Sequence, residues 1–303
     1  ISLNDLSYAY VSDSQLYDPR LVFAIKKFQW RNGLKPSGII DKKTIASLNI
    51  TPTDRLAQLE KSLLQWQQLP KDVGKEYIHV NIPSFQLALI KNGKKIINMK
   101  VVVGKKTKPT PEMYSKIHTL VLNPSWNIPQ SITREYVIKN QLKDPSFITK
   151  NNIEIFNNWE NSQAIPPDSI DWQQAWKQPI PFRMTQKPGY KNALGKVKFI
   201  FSNDESIYMH DTPQKNLFKR IERAYSSGCI RLERPFELAE YFLTDSQLYD
   251  NNKVNEILSQ NKTTYIKIHK PIPLYITYIT AWVDKSGQAH FRENIYKNSD
   301  QSA

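Results

Sequence analysis

At Tyr77 the hydrophobic period of this chain changes, and the change restricts the folds open to it. Upstream, apolar residues recur at helical spacing; downstream, they alternate as in strands. Asp18-Pro19 reads as an N-cap with proline in the first turn, and Leu21, Ile25 and Phe28 follow along one helical face. Gly33 stops that helix, Pro36-Ser37-Gly38 makes a turn, and Asp41 begins a short helix carrying Ile45 and Leu48. Thr51-Pro52-Thr53-Asp54 resembles a capping box, after which Leu56, Leu59, Leu63 and Trp66 form a stripe expected to face a core. Pro70 closes the unit. Residues 1–70 therefore read as a small three-helix module with its connecting helix.

The remainder, 71–303, is expected to be one β-rich domain. Strands are predicted over 77–82, 86–90, 96–103, 117–122, 197–200, 206–210, 264–268, 274–283 and 289–291, with Asn92-Gly93 as a hairpin turn. Residues 131–181 break the pattern with a polar stretch holding Trp159, Trp172 and Trp176 and five prolines, Pro145, Pro166, Pro167, Pro179 and Pro181. So long an excursion is a lid or binding element, or a helical insertion packing on its own tryptophans, and the two readings are compatible. The fold class is thus α+β, mostly antiparallel, with a mostly helical insertion.

Composition narrows the function. A net charge of +14 predicts attraction to polyanions. Nothing points to nucleic acid, because zinc-finger spacing, RRM-like aromatics and a basic helix with heptads are all missing from the sequence. An anionic polymer such as a bacterial wall fits the charge equally well. No stretch approaches the roughly 18 apolar residues of a membrane span, and Ile1-Ser2-Leu3-Asn4-Asp5 lacks the basic start of an export signal.

The chain has one cysteine, Cys229, within Ser226-Ser227-Gly228-Cys229-Ile230-Arg231. A lone thiol cannot form an intramolecular disulfide, so packing or reactivity accounts for it. Gly228 permits close backbone approach, and Arg231 supplies a cation expected to lower the thiol pKa. His210, at the end of the predicted strand 206–210, is the candidate base; the amides near Gly228 and Cys229 and the Tyr208 hydroxyl are candidate oxyanion donors. The other histidines, His79, His118, His269 and His290, lack ligand spacing, so no metal site or cofactor is expected. Asp211 adjoins His210 on a strand and should point to the opposite face, leaving a backbone carbonyl to orient the imidazole.

Tyr208-Met209-His210-Asp211-Thr212-Pro213 followed by Ser226-Ser227-Gly228-Cys229-Ile230-Arg231 resembles the active-site signature of L,D-transpeptidases, which have a YkuD-type catalytic domain and act on peptidoglycan. Many members carry histidine before Gly-Cys; Ser227 here resembles the branch with a large insertion over the site. Val101–Lys105 through Thr110-Pro111, Leu122-Asn123-Pro124-Ser125-Trp126-Asn127-Ile128-Pro129, Lys187-Pro188-Gly189 and Asn192-Ala193-Leu194-Gly195 to Lys198-Phe199 resemble the same branch, and residues 15–50 resemble a peptidoglycan-binding module.

The resemblance implies that Cys229 forms a thioester with a tetrapeptide stem, releasing D-Ala, and that a diamino-acid amine of a second stem takes the acyl group. His210 serves both steps. Gly228, Tyr208, Ser227, Arg231, Trp126 and Asn123 are the candidate oxyanion and substrate contacts. Peptidoglycan stems are the implied partners, carbapenem β-lactams the implied covalent inhibitors, and the periplasm or cell wall the implied location. A carboxypeptidase of the same fold and a non-catalytic wall-binding protein are the alternatives.

Overall fold

Capping residues define the helical start of the chain. In the computed structural model, which describes residues 17–157, 163–243 and 250–296, the Asp18 carboxylate accepts the Leu21 amide at 2.7 Å and opens α1 (Pro19–Arg31). Asp41 accepts the Thr44 amide and opens α2 (Lys42–Leu48). Thr51 and Asp54 exchange bonds in a capping box at the head of α3 (Pro52–Gln67). Each cap satisfies amides that no intrahelical carbonyl reaches. Ala24, Ile25 and Phe28 of α1 are buried beside Gln29. The Gln29 amide nitrogen donates to the Ile39 carbonyl and the Thr44 hydroxyl, and its oxygen accepts from Gly38. So small a module is held by one buried polar hub as well as by apolar contact.

Most of the stripe on α3 is not core, and only Leu59 of it is half-buried. Leu56, Leu63 and Trp66 are 56%, 57% and 43% exposed, and Ser62 is the helix's buried residue. The inward face is polar instead. Gln58 donates to the carbonyls of Thr280 and Arg292, the Ser62 hydroxyl accepts the Ala281 amide, and the Arg55 guanidinium lies 4.4 Å over the Phe291 ring. The hairpin of Ala281–Val283 and Ala289–Phe291 presents backbone groups that need partners, and glutamine and serine can supply them where leucine cannot.

These helices belong to the first of two units, made of Ile1–Tyr114, Asn216–Gly228 and Pro273–Ala303. Its strands Glu76–Asn81, Gln86–Lys91 and Lys94–Gly104 form an antiparallel meander. Asn92 and Gly93 turn between the last two with φ of 50° and 72°, the left-handed pair that matches strand twist. The end of strand Thr264–Thr277 pairs in parallel with the first strand, and Ala224–Ser226 pairs in parallel with the third. Thr264–Thr277 is one continuous strand, followed by the separate Ala281–Val283, where the sequence suggested a break before residue 274 and none after it.

The second unit holds Ser115–Lys215 and Cys229–Ile272. Met113–Leu122 pairs antiparallel with Val197–Phe201, which pairs antiparallel with Met209–His210; that short strand runs parallel to Ile230–Leu232. The predicted strand 206–210 is extended only at its end, because Ser206 turns left-handed with φ 56°. Phe199, Met209, Ile230 and Leu232 are buried on one side of these strands. Phe242, on the helix Pro235–Leu243, packs its ring 5.9 Å from that of Phe199.

The insertion carries helices at Gln130–Ile132, Thr133–Ile138 (a π turn), Lys139–Gln141, Phe147–Lys150 and Trp172–Lys177. It also carries a four-stranded sheet in the order Trp126–Ile128, Arg183–Gln186, Ile153–Phe156, Ala164–Ile165, whose two- to four-residue strands are too short to show a period in the sequence. Its core is aliphatic: Ile128, Val137, Ile138, Ile148, Ile155 and Met184 are buried together. Trp172 packs against that core, Trp176 is exposed, and Trp159 lies outside the described residues. Among the described residues no helix is long and apolar enough to cross a membrane.

Candidate functional site

Strand register determines which side chains meet. His210 lies directly opposite Lys198 on one neighbouring strand and opposite Arg231 on the other. Directly paired residues share a face, so Lys198, His210 and Arg231 form a row across three strands. Side chains alternate along a strand, so Tyr208 and Cys229, two positions back, join that face. The Ile230 amide donates to the Tyr208 carbonyl at 3.0 Å and fixes this register.

His210 is buried, and its Nδ1–H donates to the Asp211 carbonyl at 2.5 Å. In a neutral imidazole the lone pair then sits on Nε2. Burial, with Arg231 and Lys198 adding to it, holds the ring well below its ordinary value, at about 3. The Asp211 carboxylate points elsewhere. One oxygen accepts the Lys196 amide; the other accepts the Thr212 amide and the Lys215 ammonium at 2.6 Å.

Gly195 presses on the Asp211 carboxylate. A Cβ at position 195 would lie 2.2 Å from Oδ2, and the backbone φ there is 63°. Gly195→Ala is expected to lower stability by about 2–3 kcal/mol and to slow acylation, because displacing Asp211 also displaces the carbonyl that orients His210. Denaturant titration paired with an acylation rate checks both effects.

Cys229 is half-buried. Its thiol receives hydrogen bonds from the backbone and the hydroxyl of Tyr208, and the Trp126 indole donates to that same hydroxyl. Burial nevertheless pushes the thiol up, outweighing Tyr208, Lys198 and Arg231, which all pull it down. Arg231 pulls the thiol down as its sequence position suggests, but burial outweighs it and no resting thiolate forms. The site rests as a neutral thiol, donating to the Ser206 carbonyl at 4.0 Å, on the same strand face as a neutral imidazole. Burial also raises the Tyr208 hydroxyl far above its ordinary value, so it stays a donor.

Arg231 donates to Gln214 Oε1 at 2.7 Å, while its buried Nε has no hydrogen-bond partner. It opens onto a cleft lined also by Trp126, Tyr136, Gln186, Lys191 and Gln214, so the insertion forms one wall beside the reactive face. In the sequence Lys198 stands only within a segment that resembles the family, with no role attached to it. Its one available signal was a lysine inside the apolar run Val197-Lys198-Phe199-Ile200-Phe201.

Two candidates need correction. Asn123 is fully buried, and its side-chain nitrogen donates to the Ile257 carbonyl at 2.7 Å. It ties a strand end to the helix Asn251–Ser259 and does not face a substrate. The Gly228 amide donates to the Ser226 hydroxyl, which withdraws it from the oxyanion donors. Gly228 instead contributes its φ of 112°, a conformation side chains resist, and its carbonyl, which accepts from the Thr110 hydroxyl at 2.6 Å. In a planar trans peptide that carbonyl direction turns the Cys229 N–H to the opposite side. Ser227 is exposed. Among the described residues there is no cluster of three His, Cys, Asp or Glu suited to a metal.

The family profile of the L,D-transpeptidase catalytic domain (YkuD) matches residues 75–255, and that of a domain provisionally described as peptidoglycan binding matches residues 1–48. A Haemophilus influenzae protein provisionally named an L,D-transpeptidase is 35% identical over 246 residues, covering 80% of this chain and 49% of its own. The chain thus spans about half the length of the curated relative it matches. Similar solved structures include an L,D-transpeptidase from Mycobacterium smegmatis, 10% identical, covering 67% of this chain and 58% of that one with a TM-score of 0.30. Another is L,D-transpeptidase 3 from Mycobacterium tuberculosis with a faropenem-derived adduct, 9% identical, covering 67% and 60% with a TM-score of 0.32. Those two likenesses are too weak to carry any residue across.

Proposed function

Since the chain belongs to the L,D-transpeptidase catalytic-domain family, we propose that it is a peptidoglycan L,D-transpeptidase with Cys229 as nucleophile and His210 as base. The observation that carries this reading is the shared face of Cys229, Tyr208 and a neutral His210 whose Nδ1–H is committed to the Asp211 carbonyl. Nε2 takes the thiol proton as Sγ attacks the carbonyl between the third residue and terminal D-Ala of a donor stem. The Cys229 N–H and the Tyr208 hydroxyl are the donors for the tetrahedral oxyanion. Collapse breaks the peptide bond; the leaving D-Ala amine receives the proton from His210, and a thioester remains.

The side-chain amine of a diamino acid on an acceptor stem then attacks the thioester, passing its proton to His210. His210 returns that proton to the departing sulfur. The net change exchanges one amide for another, so neither a cofactor nor an external redox partner enters. Arg231, which lines the cleft, suits a stem carboxylate. The helical module holds the enzyme to the wall, placing the reaction outside the cytoplasmic membrane, and carbapenems acylate Cys229. Incubation with disaccharide-tetrapeptide fragments, read by mass, tests the proposal. A dimer lacking one D-Ala is expected; tripeptide alone would make the chain a carboxypeptidase, and unchanged substrate would overturn both enzymatic readings.

A further inference from the structure

Lys198 is an unneutralised cation at the reactive face. It stands directly opposite His210 in the strand pairing, and its ammonium lies 3.8 Å from the centroid of the Tyr208 ring. It is only partly exposed, and among the described residues no carboxylate pairs with it. Lysines with this little access to water usually have a carboxylate to offset the lost hydration. Here the nearby groups are a phenol ring, a neutral imidazole and a thiol. The ring face attracts the ammonium and fixes it in place, but leaves its charge unspent.

We propose that Lys198 is the charge that tunes the nucleophile: held on the Tyr208 ring, its ammonium stabilises the Cys229 thiolate as His210 removes the proton. The inference rests on Cys229 being the nucleophile. Lys198 and Cys229 act on each other electrostatically in the direction this requires, the cation favouring the thiolate and the thiolate favouring the cation. The other ionisable groups facing the thiol are Tyr208 and Arg231, with His210 beside them on the same strand face. Arg231 shares its charge with Gln214, whereas among the described residues Lys198 has no competing acceptor. The two cations also discourage protonation of the imidazole between them, which keeps it a base.

Alkylation of Cys229 by iodoacetamide tests the idea without any substrate, because this neutral reagent reads the thiolate alone. A neighbouring opposite charge lowers an acid's pKa by about one unit or more. Lys198→Met, which keeps the stem over Tyr208, should therefore slow alkylation about tenfold at every pH from 7 to 9. Lys198→Arg should recover most of that loss, and thermal melts should show all three proteins folded.

Unchanged alkylation in Lys198→Met would overturn the proposal, as would a Lys198→Arg variant as slow as Lys198→Met. A raised KM for tetrapeptide with normal alkylation would also overturn it, making Lys198 a substrate-carboxylate contact. Failure of the unaltered protein to form an acyl adduct would instead count against the transpeptidase reading, while the alkylation ratio would still judge Lys198.

Discussion

Cys229→Ala is expected to leave tetrapeptide fragments untouched, with a loss of about 10⁴-fold or more, as for other enzymes deprived of their nucleophile. No other group on the reactive face can take its place. Tyr208 keeps its proton because burial raises it, and Ser227 is exposed. The same variant should show no mass adduct with a carbapenem. It should still sediment with insoluble peptidoglycan, because the helices of residues 19–67 are unaffected by a change at residue 229. Turnover within tenfold of the unaltered protein would mean that the nucleophile has been misassigned.

His210→Gln should lower the acylation rate by about 10²- to 10⁴-fold, the usual contribution of a general base. Its pH dependence is the more discriminating measurement. With His210 at about 3 and the thiol raised by burial, acylation in the unaltered protein should be nearly level through the neutral range. In His210→Gln the rate should instead follow the thiolate, rising about tenfold per pH unit below the thiol pKa.

Stability gives an independent reading of the same group. The folded ring binds its proton more weakly than an unfolded histidine, so the unfolded chain holds more protons between about pH 3 and 6.5. Stability from this source is fully present above pH 6.5 and declines as the pH falls through that window. Urea titrations at pH 7 and pH 4 should therefore show a smaller acid-induced loss for His210→Gln. An equal loss in both proteins would mean that the imidazole is not buried neutral.

Much of this was legible in the sequence, for identifiable physical reasons. Helix starts are local: Asp18, Asp41 and Thr51 need only the next three residues to act as caps, and each does. The Asn92-Gly93 turn is equally local. The backbone carbonyl orienting His210 followed from alternation, which sends Asp211 to the other side. Non-local partners were another matter. The leucines of α3 looked inward by periodicity, yet the hairpin at residues 281–291 needed polar partners and took Gln58 and Ser62. Asn123 belonged to a matching motif, but its amide was required by a helix end more than a hundred residues away. Lys198 gains its meaning only from the pairing that sets it opposite His210.

The pairing of the three-strand row has a consequence for how this chain can tolerate change. Point substitutions on the outer strands alter one side chain each. Gain or loss of a single residue within Val197–Phe201 or Ile230–Leu232 is different, because a one-step slip exchanges the two faces of a strand. Such a deletion would carry Lys198, or Arg231, into the space held by Phe199 and Met209 and send a core side chain out beside His210. Length variation among descendants of this sequence should accordingly collect in the loops beyond these strands, leaving the spacing from Lys198 to Phe201 and from Cys229 to Leu232 fixed to the residue.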